Sequence, residues 1–193
     1  TIPVSPLTDN KMYTFQSSTS MCDSSGNLLF YTSGDSIYNR QHKLMLNWKS
    51  GRPYAQVMSA VQGTMAMPVP GIKQLYYVFL GLSGENVLGF SKDSMLRYWI
   101  IDMKGDGGLG AVVIKDQPLL KARSENFAVT THTNGFDYWV GAIDDYEGNF
   151  NCIRTINGQF TSPVIKQKLN PKPDQFSRFI KFSPDSRILY SKE

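Results

Sequence analysis

Apolar residues in this chain gather in short runs, and each run follows a cluster of residues that favour chain reversal. Four such pairs stand out. Asp23-Ser24-Ser25-Gly26-Asn27 precedes Leu28-Leu29-Phe30-Tyr31-Thr32, and Val69-Pro70-Gly71 precedes Leu75-Tyr76-Tyr77-Val78-Phe79. Thr133-Asn134-Gly135 precedes Phe136-Asp137-Tyr138-Trp139-Val140, and Ser183-Pro184-Asp185-Ser186 precedes Ile188-Leu189-Tyr190-Ser191. Gly, Pro, Asn and Asp supply the turn, and β-branched and aromatic residues then fit a pleated strand. Equivalent turn positions, Gly26, Gly71, Gly135 and Ser186, are roughly 45, 64 and 51 residues apart.

Further strands fill the intervals. Leu96 to Met103 and Ala111 to Lys115 flank a glycine-rich turn, so they predict a hairpin. Asn151 to Ile156 runs into Asn157-Gly158, the strongest short hairpin signal, with Pro163 to Gln167 as the expected partner. Phe127 to Thr131 and Phe179 to Phe182 predict the strands that enter the third and fourth units. The segment Gly51 to Met67 hints at a helix around Ala55 to Ala60, but it has no clear cap and is interrupted by Gly63. It is read as loop or strand. The polar stretch Gly81 to Asp93 is read as an insertion that widens the second interval.

Strands and tight turns recurring at this spacing predict an all-β fold, and one motif per period favours a β-propeller over a sandwich or barrel. The expected architecture is three to four blades of four-stranded antiparallel sheets, spread over residues 1–193 as one region. Closed propellers need about four to eight blades. The expectation is therefore a fragment of a larger propeller, incomplete at the C-terminus and open to incompleteness at the N-terminus.

The set Ser25 to Thr32, Ile37-Tyr38-Asn39-Arg40 and Met45, Leu75 to Phe79, Tyr98 to Met103 with Gly107-Gly108-Leu109-Gly110, Thr133 to Val140 and Lys181 to Asp185 resembles a known family. It is similar to the WD-repeat-like propellers of large Bacteroidetes surface proteins, which are gliding-motility-associated and use the type IX secretion route. The resemblance runs from about Pro6 onward. It implies an extracellular or cell-surface location and a binding or scaffolding role, and it carries over no catalytic residue.

Composition changes this picture little. Aromatics are 12% and charged residues 19%, as expected of a globular β protein. The formal charge of +4 is spread thinly, and the densest basic stretch, Lys166 to Lys181, is broken by Pro and Phe. Nucleic-acid recognition wants clustered Lys and Arg with a recognisable motif, so it is not expected. No run of 18 apolar residues suggests membrane insertion, and the first residues carry no signal peptide. Cys22 and Cys152 lie far apart and are read as two small buried hydrophobes rather than a disulfide.

Candidate chemistry is sparse. Gly105-Asp106-Gly107-Gly108-Leu109-Gly110 matches a dinucleotide-binding string, but a β-branched strand follows where a helix is required, so it reads as a hairpin turn. Asp144, Asp145, Glu147 and Asn149 form the best acidic cluster and could supply oxygen ligands to calcium, and a polar hairpin loop accounts for them equally well. No other cofactor is expected. His132, ahead of a turn, reads as a satisfied hairpin histidine; His42 is the only other histidine. No catalytic residues are assigned. A glycosidase pair drawn from Asp35, Asp102, Glu125 and Asp144 would be arbitrary. Trp48, Tyr54 and Tyr146 lie in turn-like surroundings, open to either ligand contact or packing between blades. The expected function is a non-catalytic module of an exported surface protein, binding a protein or glycan and the remaining blades of its own polypeptide. The alternative is a propeller-type glycoside hydrolase or lyase acting on polysaccharide.

Overall fold

A computed structural model describes residues 8–14, 17–48, 62–81, 95–122, 127–170, 179–183 and 188–191. The described chain is all-β, with antiparallel sheets and a single helical turn. Its elements are β1 (Thr19–Cys22), β2 (Leu28–Thr32), β3 (Ile37–Asn39), β4 (Thr64–Pro68), β5 (Leu75–Leu80) and β6 (Met95–Asp102). There follow α1 (Gly105–Gly108), β7 (Ala111–Lys121), β8 (Phe127–Thr131), β9 (Tyr138–Asp144) and β10 (Asn149–Ile156). The last are β11 (Gln159–Phe160), β12 (Ile165–Lys168), β13 (Phe179–Phe182) and β14 (Ile188–Ser191).

Strands pair with their sequence neighbours. The first sheet runs β1-β2-β3, the second β4-β5-β6-β7, the third β8-β9-β10 with β11 and β12 beyond, and β13 pairs β14. The first sheet also has a rudimentary fourth member. Residues 43–46 turn back beside β3, where Asn39 N donates to Lys43 O at 2.9 Å and Met45 N to Ile37 O at 2.8 Å. The four turn-and-strand segments found in the sequence therefore occupy one position: β2, β5, β9 and β14 are each second in a separate sheet.

One sequence expectation changes, and another gains detail. The partner of β10 is not one strand over 163–167. β11 pairs with Thr155 and Ile156, while β12 pairs with Asn149 to Cys152, and the chain loops out between them. The glycine string after β6 makes α1, with Asp106 and Gly107 at positive φ, and it joins antiparallel strands as a hairpin turn. Ala55 to Ala60 and most of the Gly81 to Asp93 insertion lie outside the described residues.

Successive side chains of a strand point to opposite faces, so a strand buried on both sides shows no polar alternation. β5 is such a strand. Val78 and Leu80 join Phe30, Ile37, Met45, Trp48, Trp99 and Ile101 between the first and second sheets. Tyr77 and Phe79 join Leu96, Leu120, Phe127, Val140 and Ile153 between the second and third. Ala128, Ile143, Phe150 and Cys152 continue the pattern with Ile180 of β13. Each sheet thus packs against the next in chain order.

The leading strands also gather. β1 approaches β4, and β8 approaches β13. Just ahead of β4, the Gln62 side chain behaves like a strand edge: its Oε1 accepts from Ile180 N at 3.1 Å and its Nε2 donates to Ile180 O at 3.3 Å. Thr64 N donates to Ser17 Oγ at 2.9 Å, tying β4 to the residues before β1.

Candidate functional site

The hairpin of β9 and β10 pairs Asn149 with Asp144 and Asn151 with Ala142. Directly opposed residues share a face, so Asp144, Asn149 and Asn151 lie on one side of the third sheet. That side meets the end of β7, which brings Lys121 into the cluster. Lys121 Nζ donates to Glu147 Oε1 at 2.6 Å and stands 3.8 Å from Asp144 Oδ2. Glu147 Oε2 accepts from Asn149 Nδ2 at 3.0 Å, and Asn151 Nδ2 donates to Lys121 O at 2.7 Å. Lys168 Nζ donates to the Glu147 carbonyl.

Asp144, Glu147 and Asn149, three of the four residues proposed for calcium from the sequence, are therefore close together, but a lysine ammonium stands among them, and Asp145 is buried beside Asp144 in the chain. Ammonium and calcium compete for the same oxygens, so this arrangement is a hydrogen-bonded ion pair rather than a cation cage. Among the described residues, no three His, Cys, Asp or Glu side chains converge as metal ligands. The Lys121 hydrogen bond and charge hold the Glu147 carboxyl below the usual carboxylate range, with Lys166 and Asn149 acting the same way. A general acid at neutral pH needs the opposite shift. Asp144 is 1% exposed, and its Oδ2, like the Oδ1 of Asn151, receives no hydrogen bond from the described residues.

The other sequence candidates scatter. Asp35, in the β2–β3 connection, accepts from Ser33 Oγ at 2.7 Å, and Asp102, at the end of β6, accepts from Lys104 N at 2.9 Å. Asp35, Asp102 and Asp144 thus serve three different connections, and Glu125 lies outside the described residues. His132 is held in the β8–β9 turn, where its Nδ1 accepts from Asn134 N at 3.1 Å and its ring lies 5.7 Å from Trp139. Beside it, burial disfavours the charge on Asp137, but hydrogen bonds from Asn134 and Arg154 prevail and hold its carboxyl below the usual range. His42 bonds Tyr31 and Asp9.

One expectation is corrected and one open choice is decided. Trp48 takes the packing alternative: it is buried, 5.9 Å from Trp99, and its Nε1 donates to Asp35 O at 2.6 Å. Cys22 is exposed at the end of β1, where a bulge and the Asp23 turn carry it outward, while Cys152 is buried and its thiol is pushed up to about 11. Both thiols are free. Tyr146 is exposed, and Tyr54 lies outside the described residues.

Lys121 and Asn151 escaped the sequence reading. Lys121 lies on a strand of another sheet, and nothing local marks its encounter with Glu147. The exposed Ile72 and Phe136 also escaped it; hairpin tips of two sheets adjoin there. A Cβ on Gly71 would sit 3.0 Å from the Phe136 ring, and one on Gly158 would sit 3.4 Å from Ile72. No protein-family model, curated protein or solved structure matches this chain. Among the described residues, no helix is long and apolar enough to cross a membrane.

Proposed function

We propose that the four sheets are successive blades of a β-propeller, and that the chain is a non-catalytic binding or scaffolding module of an exported bacterial surface protein. The observation that carries the architecture is the gathering of leading strands. β1 meets β4, the lead-in to β4 meets β13, and β13 meets β8, while each later strand steps away from that centre. A radial set of meanders packed face to face has this arrangement, and a sandwich does not.

The binding role is supported by two features. The candidate carboxylates within the described residues are either scattered or neutralised by Lys121. Ile72 and Phe136, 45% and 49% exposed, stand at adjoining hairpin tips, Phe136 beside Gly71 and Ile72 beside Gly158, and exposed apolar groups are common at interaction surfaces. The ligand is a protein or a glycan, and the remaining blades of the same polypeptide are partners in closure.

Electron microscopy of the natural full-length polypeptide tests the architecture; a two-layer sandwich in place of a radial ring overturns it. A combined glycan and peptide array tests the role. Saturable binding to one ligand class is expected. Turnover of a chromogenic glycoside, abolished by substituting one carboxylate, replaces the reading with a hydrolase.

A further inference from the structure

β12 is the outer strand of the third sheet. It pairs with β10 on one side, with Lys168 opposite Asn149, Gln167 opposite Phe150, Lys166 opposite Asn151 and Ile165 opposite Cys152. Among the described residues, no strand pairs with its other side. All four of its residues are exposed. Backbone direction alternates along a strand, so one hydrogen bond sets the whole edge. Leu169 N donates to Gly148 O at 2.9 Å, continuing the ladder. Residues 165, 167 and 169 therefore turn their amides and carbonyls to β10. Lys166 and Lys168 turn theirs away from it, which leaves two donors and two acceptors on the open side.

The same two lysines send their side chains to one face, the face that carries Asn149 and Asn151. Lys121 already bonds Glu147 at 2.6 Å, and Lys168 reaches back to the Glu147 carbonyl, which carries no charge. The edge is therefore cationic on one face, while Ile165, 55% exposed, makes it apolar on the other. The outer strand of the second sheet is blunted by comparison. β7 carries Pro118 and, at φ 52°, Asp116, its register shifts against β6, and its Val112 N is taken by Leu46 O at 3.0 Å. β12 has neither proline nor bulge. An open edge invites pairing, and lysines on it keep identical edges apart. Two β12 edges brought together antiparallel would set lysine against lysine, whereas an acidic strand would meet opposite charges.

We propose that β12 is the docking edge for an extended acidic segment of a partner protein, added antiparallel as a further strand of the third sheet. The ladder fixes the motif. Residues i and i+2 of the segment stand opposite Lys168 and Lys166, exchange both backbone hydrogen bonds with them, and carry Asp or Glu. Residue i+3 stands opposite Ile165 and is apolar. Main-chain bonds give the attachment, and the alternate acidic side chains give the selectivity. The edge belongs to the third sheet alone, so the inference rests neither on the ring arrangement nor on the hairpin-tip surface.

The probe is the capped, fluorophore-labelled peptide Thr-Glu-Thr-Glu-Val-Thr, titrated against this chain to about 1 mM at low salt. Saturable binding is expected, and the Lys166 and Lys168 amides should gain about tenfold protection from hydrogen exchange in NMR. N-methylation of either glutamate amide should abolish binding. N-methylation of the threonine between them should leave it, because that amide points away from the edge. Lys166→Glu should weaken binding about tenfold with the far-UV spectrum unchanged, and exchanging the second glutamate of the peptide for lysine should restore it. Lack of saturation, equal sensitivity to the two kinds of methylation, or failure of the lysine exchange to restore binding overturns the proposal. So does protection of the two amides without peptide, which would mark a second copy or another segment already on the edge.

Discussion

The two faces of the second sheet are built from the same strands, yet they hold their neighbours differently. Toward the first sheet the centre of the contact is apolar. Trp48 and Trp99 lie 5.9 Å apart, and Phe30 meets Tyr76 edge-on at 5.7 Å. Toward the third sheet an aromatic cluster of Tyr77, Phe79, Tyr98 and Phe160 is joined by polar groups: Tyr77 Oη donates to Gly158 O at 2.6 Å, and Lys121 bonds Glu147. Burial pulls both pairs of sheets together without regard to direction. Hydrogen bonds demand particular atoms, and they cross both contacts: Arg40 Nη1 donates to Gly108 O at 2.6 Å and Val112 N to Leu46 O at 3.0 Å toward the first sheet, while the second contact adds the Lys121–Glu147 ion pair. It is also the contact that acid should weaken.

The largest effect is expected from truncating the apolar face. Trp99→Ala removes an indole that is 1% exposed and should cost about 3–5 kcal/mol in chemical denaturation. A loss near zero would mean that the first two sheets are not packed as described. Next comes Gly158→Ala at the second contact. Gly158 has φ 74°, and a Cβ there would stand 2.8 Å from Pro70 O. Backbone strain and the clash together should cost about 2–4 kcal/mol, and thermal unfolding would register it.

Tyr77→Phe is a finer probe of the same junction. Burial pushes the Tyr77 hydroxyl up to about 12, so it is a neutral donor at every ordinary pH. Deleting it should cost about 0.5–1.5 kcal/mol, without altering the pH dependence of stability. The smallest effect separates the two contacts by pH. The Glu147 carboxyl is held low by Lys121, so its contribution is present above the usual carboxylate range and lost as the pH falls through it. Stability should therefore decline more steeply with acid in the native chain than in Lys121→Met. Equal slopes would remove the electrostatic distinction between the contacts.

Much of the strand pattern was legible because it is local. Asn157-Gly158 predicted its own hairpin, and the two residues have φ 52° and 74°, the left-handed pair that such a turn demands. The segment Leu75 to Phe79 announced a strand, and its burial on both faces came only with the packed sheets. The Asp144 to Asn149 cluster was visible as a polar turn, but its chemistry was not, because the neutralising ammonium comes from Lys121 on another sheet. Trp48 was left open between packing and ligand contact for a related reason: its neighbours in the chain do not choose, while its surroundings in space are Trp99 and the backbone of Asp35.

Alternation of turn formers with apolar runs determined where the strands lie, since backbone preference and side-chain direction act within a few residues. Only the tertiary structure decided which sheet faces which, that Gln62 grips the backbone of Ile180, and that Lys121 occupies the acidic turn. Those contacts join residues far apart in the chain, and their partners are chosen by the packing of whole sheets rather than by any neighbouring residue.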